Sequence, residues 1–424
     1  MRRNRRLRKG FFLLGCLIAL AALGGCGTAA PAETAEAAPA ASPEAWGVSG
    51  AASIQPALQQ RQVEEVTSEQ EPEPETEPEP LPASLREVIP ESVTVWLDGT
   101  AAQGLLLDGK AMVEAGDLAA RWSWFRGSGD TKTWTFTGDP GDRDAGASEL
   151  PCVPPEQFSG TECVYFAGTA EEYWIPAEWV AQCFGCSYLQ DPETQAVYLS
   201  PCVDVEDIPT DVAVPILMYH AVSDDLWGIE ELFVSPEDMR AQLEYLIDNG
   251  YDPIFFSDLP HLSDYDRPVI LTFDDGYDDN YTELLPLLRE YNVKATVFVI
   301  TGMLGDEHYL TAEQAREMSE SGLVDIQSHT VNHPELDTLS YDEQKQELAG
   351  SRLELARITG RIPYVIAYPS GSRNDDTLTL APEYYSLGVD MNGGLWYTGE
   401  SWFKVDRIYI SRWDTLDDFA GVLP

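Results

Sequence analysis

The stretch Val269-Ile270-Leu271-Thr272-Phe273-Asp274-Asp275-Gly276 sets an apolar run against two adjacent carboxylates and a glycine. The run has the length and β-branched content of a buried strand. Adjacent acids repel, and burying either one is costly unless a counter-charge faces it. The stretch therefore predicts a strand end and, opposite Asp274 and Asp275, a partner of opposite charge.

Working outward, the same grammar repeats. Residues 214–222 (VPILMYHAV) read as a strand, and residues 235–250 read as a helix with Ser235 as N-cap, Pro236 at its first position and Asn249-Gly250 as its stop. After the Asp-Asp strand come a mostly helical 281–291, a strand at 295–300 and a helix at 311–322 opened by a Thr311/Gln314 box. A strand at 323–330, a helix at 340–360 with a Ser340/Glu343 box and a strand at 364–371 follow. Alternation at this spacing predicts an α/β domain over 213–424 whose parallel sheet closes into a barrel. Functional residues of such sheets gather at the C-terminal strand ends. His220, Asp274, Asp275, His329 and Ser370 all fall there.

The chain has five histidines, and two of them form the Ser328–His333 run SHTVNH directly after a strand. A His-x-x-x-His pair with an aspartate from another strand end makes a two-nitrogen, one-oxygen donor set with open positions, as in a catalytic metal site. A cation also accounts for the acid pair, one carboxylate binding it while the other stays ionised nearby. Read singly, Asp-Asp-Gly is a turn and the histidines are solvated loop residues; at successive strand ends the metal reading is preferred. A calcium loop fits worse, because Gly276 falls at the wrong offset and histidine is a poor calcium ligand.

TFDDG followed by SHTVNH resembles the polysaccharide deacetylase family, the NodB-homology domain of carbohydrate esterase family 4. The resemblance covers about 213–424. It implies a distorted barrel that hydrolyses acetyl groups from glycans, with Asp274 as general base and Asp275, His329 and His333 holding a divalent metal, usually zinc. The family's third motif is similar to Ala367-Tyr368-Pro369-Ser370-Gly371. Ser370 stands where an aromatic residue is usual, and its backbone N–H keeps an oxyanion donor plausible. Ala367 replaces the arginine that commonly orients the base, leaving Arg361 and Arg407 as substitutes. No histidine follows His333 to serve as the late acid, but residues 215–222 resemble the opening strand of a permuted subgroup, the poly-N-acetylglucosamine deacetylases. There the histidine after Met-Tyr is the acid, which matches His220. The fourth motif is echoed by GVDMNGGLW, where Asp390 matches the first acid and Gly393 takes the place of the second. Trp396, Trp402 and Trp413 are candidates for sugar stacking or for core, with core expected for at least two. His261 and His308 read as surface loops.

The rest of the chain reads as address and spacer. A basic start, MRRNRRLRK, leads into about 15 apolar residues, short of the ~20 that span a bilayer, which predicts a secretory signal over 1–25. Leu23-Gly24-Gly25-Cys26 resembles a bacterial lipobox, implying a lipid anchor at Cys26 and an extracytoplasmic location; the alternative is a short uncleaved anchor. Residues 26–90, rich in Ala, Pro and Glu, predict a disordered tether. Residues 91–203 predict a small α+β domain that resembles, in its rhythm of strands and Asp-Gly turns, the copper amine oxidase N-terminal domain. It contains no histidine, so a spacer or glycan-contacting module is expected rather than a copper site.

A formal charge of −46 excludes nucleic acid and anionic lipid as main partners and suits a neutral or cationic glycan; the deacetylase resemblance implies an acetylated one. Cys152, Cys163, Cys183, Cys186 and Cys202 cluster in the middle region, predicting one or two disulfides and an odd thiol, with a metal or redox role for Cys183-x-x-Cys186 disfavoured. The expected activity is deacetylation of peptidoglycan or a cell-surface poly-N-acetylglucosamine. The rivals are an O-acetyl esterase and a non-catalytic glycan-binding lipoprotein.

Overall fold

A computed structural model describes residues 91–107, 109–122, 125–129, 133–137, 148–153, 164–166 and 173–424. The signal, Cys26 and the tether lie outside the described residues, as do the side chains of Cys152 and Cys163.

The C-terminal region is built on seven short parallel strands: β1 (Ile216–Tyr219), β2 (Pro268–Phe273), β3 (Ala295–Val299), β4 (Val324–Ser328), β5 (Val365–Ala367), β6 (Leu387–Val389) and β7 (Ile408–Tyr409). Their order in the sheet is β6-β5-β4-β3-β2-β1-β7. One irregular segment joins the two edges: Val405 bridges Val389 of β6, and three residues later Ile408 pairs with Leu217 of β1. The sheet is thereby curled into the barrel that the alternating pattern predicts.

Both faces of the strands are buried, so their sequences run apolar without alternation. Leu217, Leu271, Phe273, Val297 and Val299 point outward and pack under α1 (Pro236–Asp248), α2 (Leu285–Tyr291), α3 (Ala312–Glu320) and α4 (Tyr341–Thr359). Ile216, Ile270, Phe298, Val365 and Val389 belong to a second cluster on the opposite parity. Position 274 shares the parity of Ile270 and Thr272, which carries Asp274 to the inner side of the sheet.

Helix starts follow their local signals. Ser235 accepts from the Asp238 N–H, and the boxes Thr311/Gln314 and Ser340/Glu343 form as read. The expected helix at 281–291 is instead split, with a π-type turn over Asn280–Leu284 before α2 begins.

Residues 91–201 form a separate sheet. Glu91–Leu97 turns back through Asp98-Gly99 onto Thr100–Leu107 and also runs parallel to Val197–Pro201. Two short helices, Ala115–Arg121 and Ala177–Phe184, cover its core of Val95, Leu97, Val113, Leu118, Ile175 and Val180. This module is seated on the C-terminal end of α4. Trp96 stacks on Tyr198, and both pack with Ala356 and Ile362. Arg357 forks onto Asp191 at 2.8 and 2.9 Å, and the Gly99 N–H donates to the Gly360 carbonyl at 3.0 Å. The end of α4 feeds the N-terminal end of β5, so the contact lies at the foot of the barrel, away from the strand ends that carry the acids.

The cysteine pattern departs from expectation. Cys186 and Cys202 are free thiols, which leaves room for one bridge at most among the five clustered cysteines. Burial, with Cys202 and Asp98 nearby, pushes the Cys186 thiol up to about 12. A thiolate at Cys186 is strongly disfavoured, and with it a redox or metal role for the Cys183-x-x-Cys186 pair.

Candidate metal centre and active site

Asp275, His329 and His333 converge at the C-terminal ends of β2 and β4. His329 Nε2 lies 3.4 Å and His333 Nε2 3.6 Å from Asp275 Oδ1, and the three donor atoms all fall within 4.8 Å of one another. Ligands bound to one tetrahedral ion at ~2.0–2.2 Å would be separated by roughly 3.3–3.6 Å. The two separations from Asp275 match this, and the spread of up to 4.8 Å has the set contract around a small divalent cation. The second nitrogen of His329, Nδ1, lies 2.9 Å from the Ala367 carbonyl. Donation there fixes the tautomer that leaves the Nε2 lone pair toward the site.

The backbone pays for this convergence with left-handed residues: Asp275 (φ 73°), Thr330 (φ 66°) and His333 (φ 54°). Such positions are uncommon off glycine and collect at functional sites. Gly276 has φ 74°, and a Cβ there would meet Val299 at 3.2 Å, so the glycine after the acids is required by both turn and space.

Asp274 and Asp275 meet different partners. Asp275 faces the imidazoles. Asp274 is held by Arg407, whose guanidinium donates to its two oxygens at 2.6 and 2.7 Å. Arg407 also donates to Thr272 Oγ1 at 3.1 Å and to the Asp390 carbonyl at 3.0 Å. Burial alone would raise the Asp274 pKa, but the Arg407 charge and hydrogen bonds outweigh it and hold the carboxyl below its usual range. Asp275 is likewise lowered against burial, chiefly by its hydrogen bond to His329. Burial and the neighbouring His329 bring His333 down to about 4, leaving it neutral with a free lone pair at pH 7. His329 is shifted up: burial opposes this, but the two aspartates prevail.

The structure thus selects Arg407 rather than Arg361, which sits at the foot of the barrel with Nε 3.9 Å from Asp98 Oδ1. His220 follows β1 directly, where the Asp274 N–H donates to the Tyr219 carbonyl at 2.9 Å. It is close enough that its charge would lower both aspartates. Its Nδ1 is enclosed and its ring meets Tyr409 edge-on at 6.3 Å, which leaves Nε2 as the nitrogen open to the site. Ser370 is exposed on the rim in a left-handed turn (φ 52°) just past Ala367.

Asp390 is buried at the same end. It forms a close ion pair with Arg373, accepts from Asn392 Nδ2 at 2.6 Å and presents its carbonyl to Arg407. Trp396 is fully buried and packs edge-on against half-buried Trp402 at 5.7 Å, whereas Trp413 is 61% exposed. His261 is exposed as expected. His308 is more than a loop residue, stacking flat on Trp227 at 4.3 Å. Sequence reasoning missed Arg373 as the Asp390 partner, and it left Arg407 unresolved. The signal for Arg407 was its place directly before the apolar Ile408-Tyr409-Ile410, since a buried arginine implies a carboxylate.

Fold and site define an α/β barrel with an arginine-held carboxylate, a three-donor set able to hold a metal ion and a histidine at one mouth. Residues 263–386 match the sequence model of the polysaccharide deacetylase family. A putative polysaccharide deacetylase of Bacillus subtilis, YxkH, is 34% identical over 203 residues, 46% of this chain and 71% of that protein. The poly-β-1,6-N-acetyl-D-glucosamine N-deacetylase of Escherichia coli is 25% identical over 258 residues, covering 48% of this chain and 37% of that protein. The peptidoglycan-N-acetylmuramic acid deacetylase PdaA of Bacillus subtilis is 31% identical over 137 residues, covering 32% and 48%. Among solved structures, the Streptococcus pyogenes deacetylase PplD in complex with acetate is 32% identical and aligns over 51% of this chain and all of that one, with a TM-score of 0.48. The chain belongs to the polysaccharide deacetylase family.

Proposed function

We propose that this enzyme removes N-acetyl groups from a cell-surface glycan, peptidoglycan or poly-N-acetylglucosamine, with zinc held by Asp275, His329 and His333. The observation that carries the reading is the Arg407–Asp274 fork beside the three-donor set. It keeps one carboxylate ionised and aimed while the other is committed to the donor set. When bound, the ion supplies Lewis acidity that brings the pKa of water toward ~7. Asp274 accepts a proton from the attacking water as its oxygen bonds to the acetyl carbon. The Ser370 N–H faces the developing oxyanion. His220 gives a proton to the departing nitrogen as the C–N bond breaks, and acetate and a free amine result.

The test is acetate release from acetylated chito-oligomers and from purified wall glycan, with chelation followed by zinc or cobalt. Turnover lost on chelation, restored by metal and absent in Asp275→Ala is expected; full turnover in Asp275→Ala overturns the reading. O-acetylated xylan in the same panel separates amide from ester specificity.

The proposal extends to location: residues 1–25 are removed, Cys26 carries lipid, and residues 26–90 tether the catalytic region outside the membrane. Incorporation of labelled fatty acid that Cys26→Ser abolishes is the expected outcome.

A further inference from the structure

Two buried side chains outside the metal set hold the main chain just after His220. Asn280 Nδ2 donates to the His220 carbonyl at 3.0 Å, and the Val222 N–H donates to Asp279 Oδ1 at 2.9 Å. Asn280 Nδ2 also donates to Asp279 Oδ1 at 2.9 Å, tying the two side chains into one unit. Asn280 is fully buried and Asp279 is 5% exposed. With the Asp274 N–H on the Tyr219 carbonyl, the chain leaving β1 is attached at three points to the loop that carries Asp274 and Asp275.

The pair is a poor device for stability alone. Asp279 Oδ2 and Asn280 Oδ1 are buried with no hydrogen-bond partner among the described residues. Apolar side chains of like volume would remove that cost. The pair also sits where the π-type turn Asn280–Leu284 opens, an irregularity that recurs at functional sites. Its position matters because the His220 ring takes no hydrogen bond among the described residues, Nδ1 being enclosed and unpartnered. Its backbone and the edge contact with Tyr409 therefore carry its orientation among the described residues.

We infer that Asp279 and Asn280 are positioning residues for His220, holding the main chain from 220 to 222 in the register that aims the imidazole at the departing nitrogen. The inference rests on the reading of His220 as the acid. It predicts a leaving-group signature. An amine must be protonated to depart, whereas 4-nitrophenolate leaves without help.

The experiment compares kcat and KM on an acetylated chito-oligomer and on 4-nitrophenyl acetate for the metal-loaded enzyme and its His220→Ala, Asn280→Ala and Asp279→Asn variants. Zinc content and thermal melting are followed alongside. Asn280→Ala is expected to lose about 10- to 100-fold in amide kcat, with KM, zinc content and ester turnover unchanged. In the His220→Ala background the same change should cost no further amide activity. Asp279→Asn keeps an oxygen for the Val222 N–H and should preserve the wild-type ratio of amide to ester turnover.

If His220→Ala retains full amide turnover, the acid reading falls and the inference with it. If His220→Ala is amide-selective but Asn280→Ala is unchanged, or loses both substrates equally, the acid stands and the inference is overturned. Should Asn280→Ala fail to fold, Asp279→Asn decides: a collapsed amide-to-ester ratio there would mean that charge, not position, is at work, and overturns the inference.

Discussion

Arg407 grips Asp274 through two nitrogens inside the barrel, the arginine 1% and the aspartate 4% exposed. The two residues lie 133 positions apart in sequence. A buried pair of this kind adds little net stability, because desolvation offsets most of the attraction, but breaking one side leaves a stranded charge. Its value is in the chemistry: the fork holds the carboxylate ionised and orients it, while the Asp390 carbonyl and Thr272 hydroxyl orient the fork.

Replacing Arg407 by Met should therefore lower kcat by about 10²–10⁴, in the range of losing a general base. Stability should fall by about 3–5 kcal/mol. Asp274 is depressed in the native protein, so its contribution to stability is present above the unfolded value of ~3.9 and is lost as pH falls through the folded value. The variant should be most destabilised at neutral pH and should approach the parent under acid conditions. Urea denaturation at pH 7 and at about pH 2.5, below the unfolded carboxyl value, reads this directly.

Metal removal should be felt in stability as well as in turnover. A cation that binds only the folded chain at 100 times its dissociation constant contributes about 2.7 kcal/mol. Chelation should lower the melting temperature of the parent and leave Asp275→Ala unmoved. A parent whose melting temperature ignores chelator would argue against a bound ion.

Asp279 predicts a pH dependence of the opposite sign. Burial, with Asp278 and Glu283 adding repulsion, raises its carboxyl to about 6 despite the Val222 and Asn280 hydrogen bonds. Between pH ~4 and 6 the folded state keeps a proton that the unfolded chain releases, so stability falls with rising pH. Asp279→Asn should remove that fall. Its advantage over the parent should grow across this window to about 3 kcal/mol at most and then level off, as measured by denaturation at several pH values.

At the foot of the barrel, Arg357→Met removes the fork on Asp191 and leaves that carboxylate only the Glu193 N–H and the Thr194 hydroxyl. The expected loss is about 1–3 kcal/mol. Its first sign should be earlier proteolysis of residues 91–203, with acetate release by the catalytic region preserved. The hydrogen bonds from Arg357, working against burial, hold Asp191 well below the usual range. The parent contact should thus persist above pH ~3.9 and weaken as pH falls through the folded value, while the variant lacks this dependence.

Much of this was legible before any coordinates. Ser235, Thr311/Gln314 and Ser340/Glu343 mark helix starts because capping is a contact over three residues. Strand ends of a parallel sheet converge, so one acid of the Asp274/Asp275 pair with His329 and His333 was legible as a donor set, and the family resemblance picked Asp275. The π-type turn at Asn280 was not legible, since the helical periodicity of 281–291 carries no sign of one extra residue. The thiol state of Cys186 and Cys202 was also hidden: clustering in sequence says nothing of whether two sulfurs can meet.

Periodicity, caps and the spacing of acids and histidines settled, from the chain alone, an alternating barrel with a metal-type donor set at its mouth. These are contacts of a few residues, or consequences of strand direction, and they do not depend on how the sheet closes. Which arginine faces Asp274, how Asp279 and Asn280 hold the chain after His220, and where residues 91–203 sit were decided only by tertiary structure. Each of these joins side chains from distant segments, and their meeting depends on the curvature that brings Val405 and Ile408 across the two edges of one sheet.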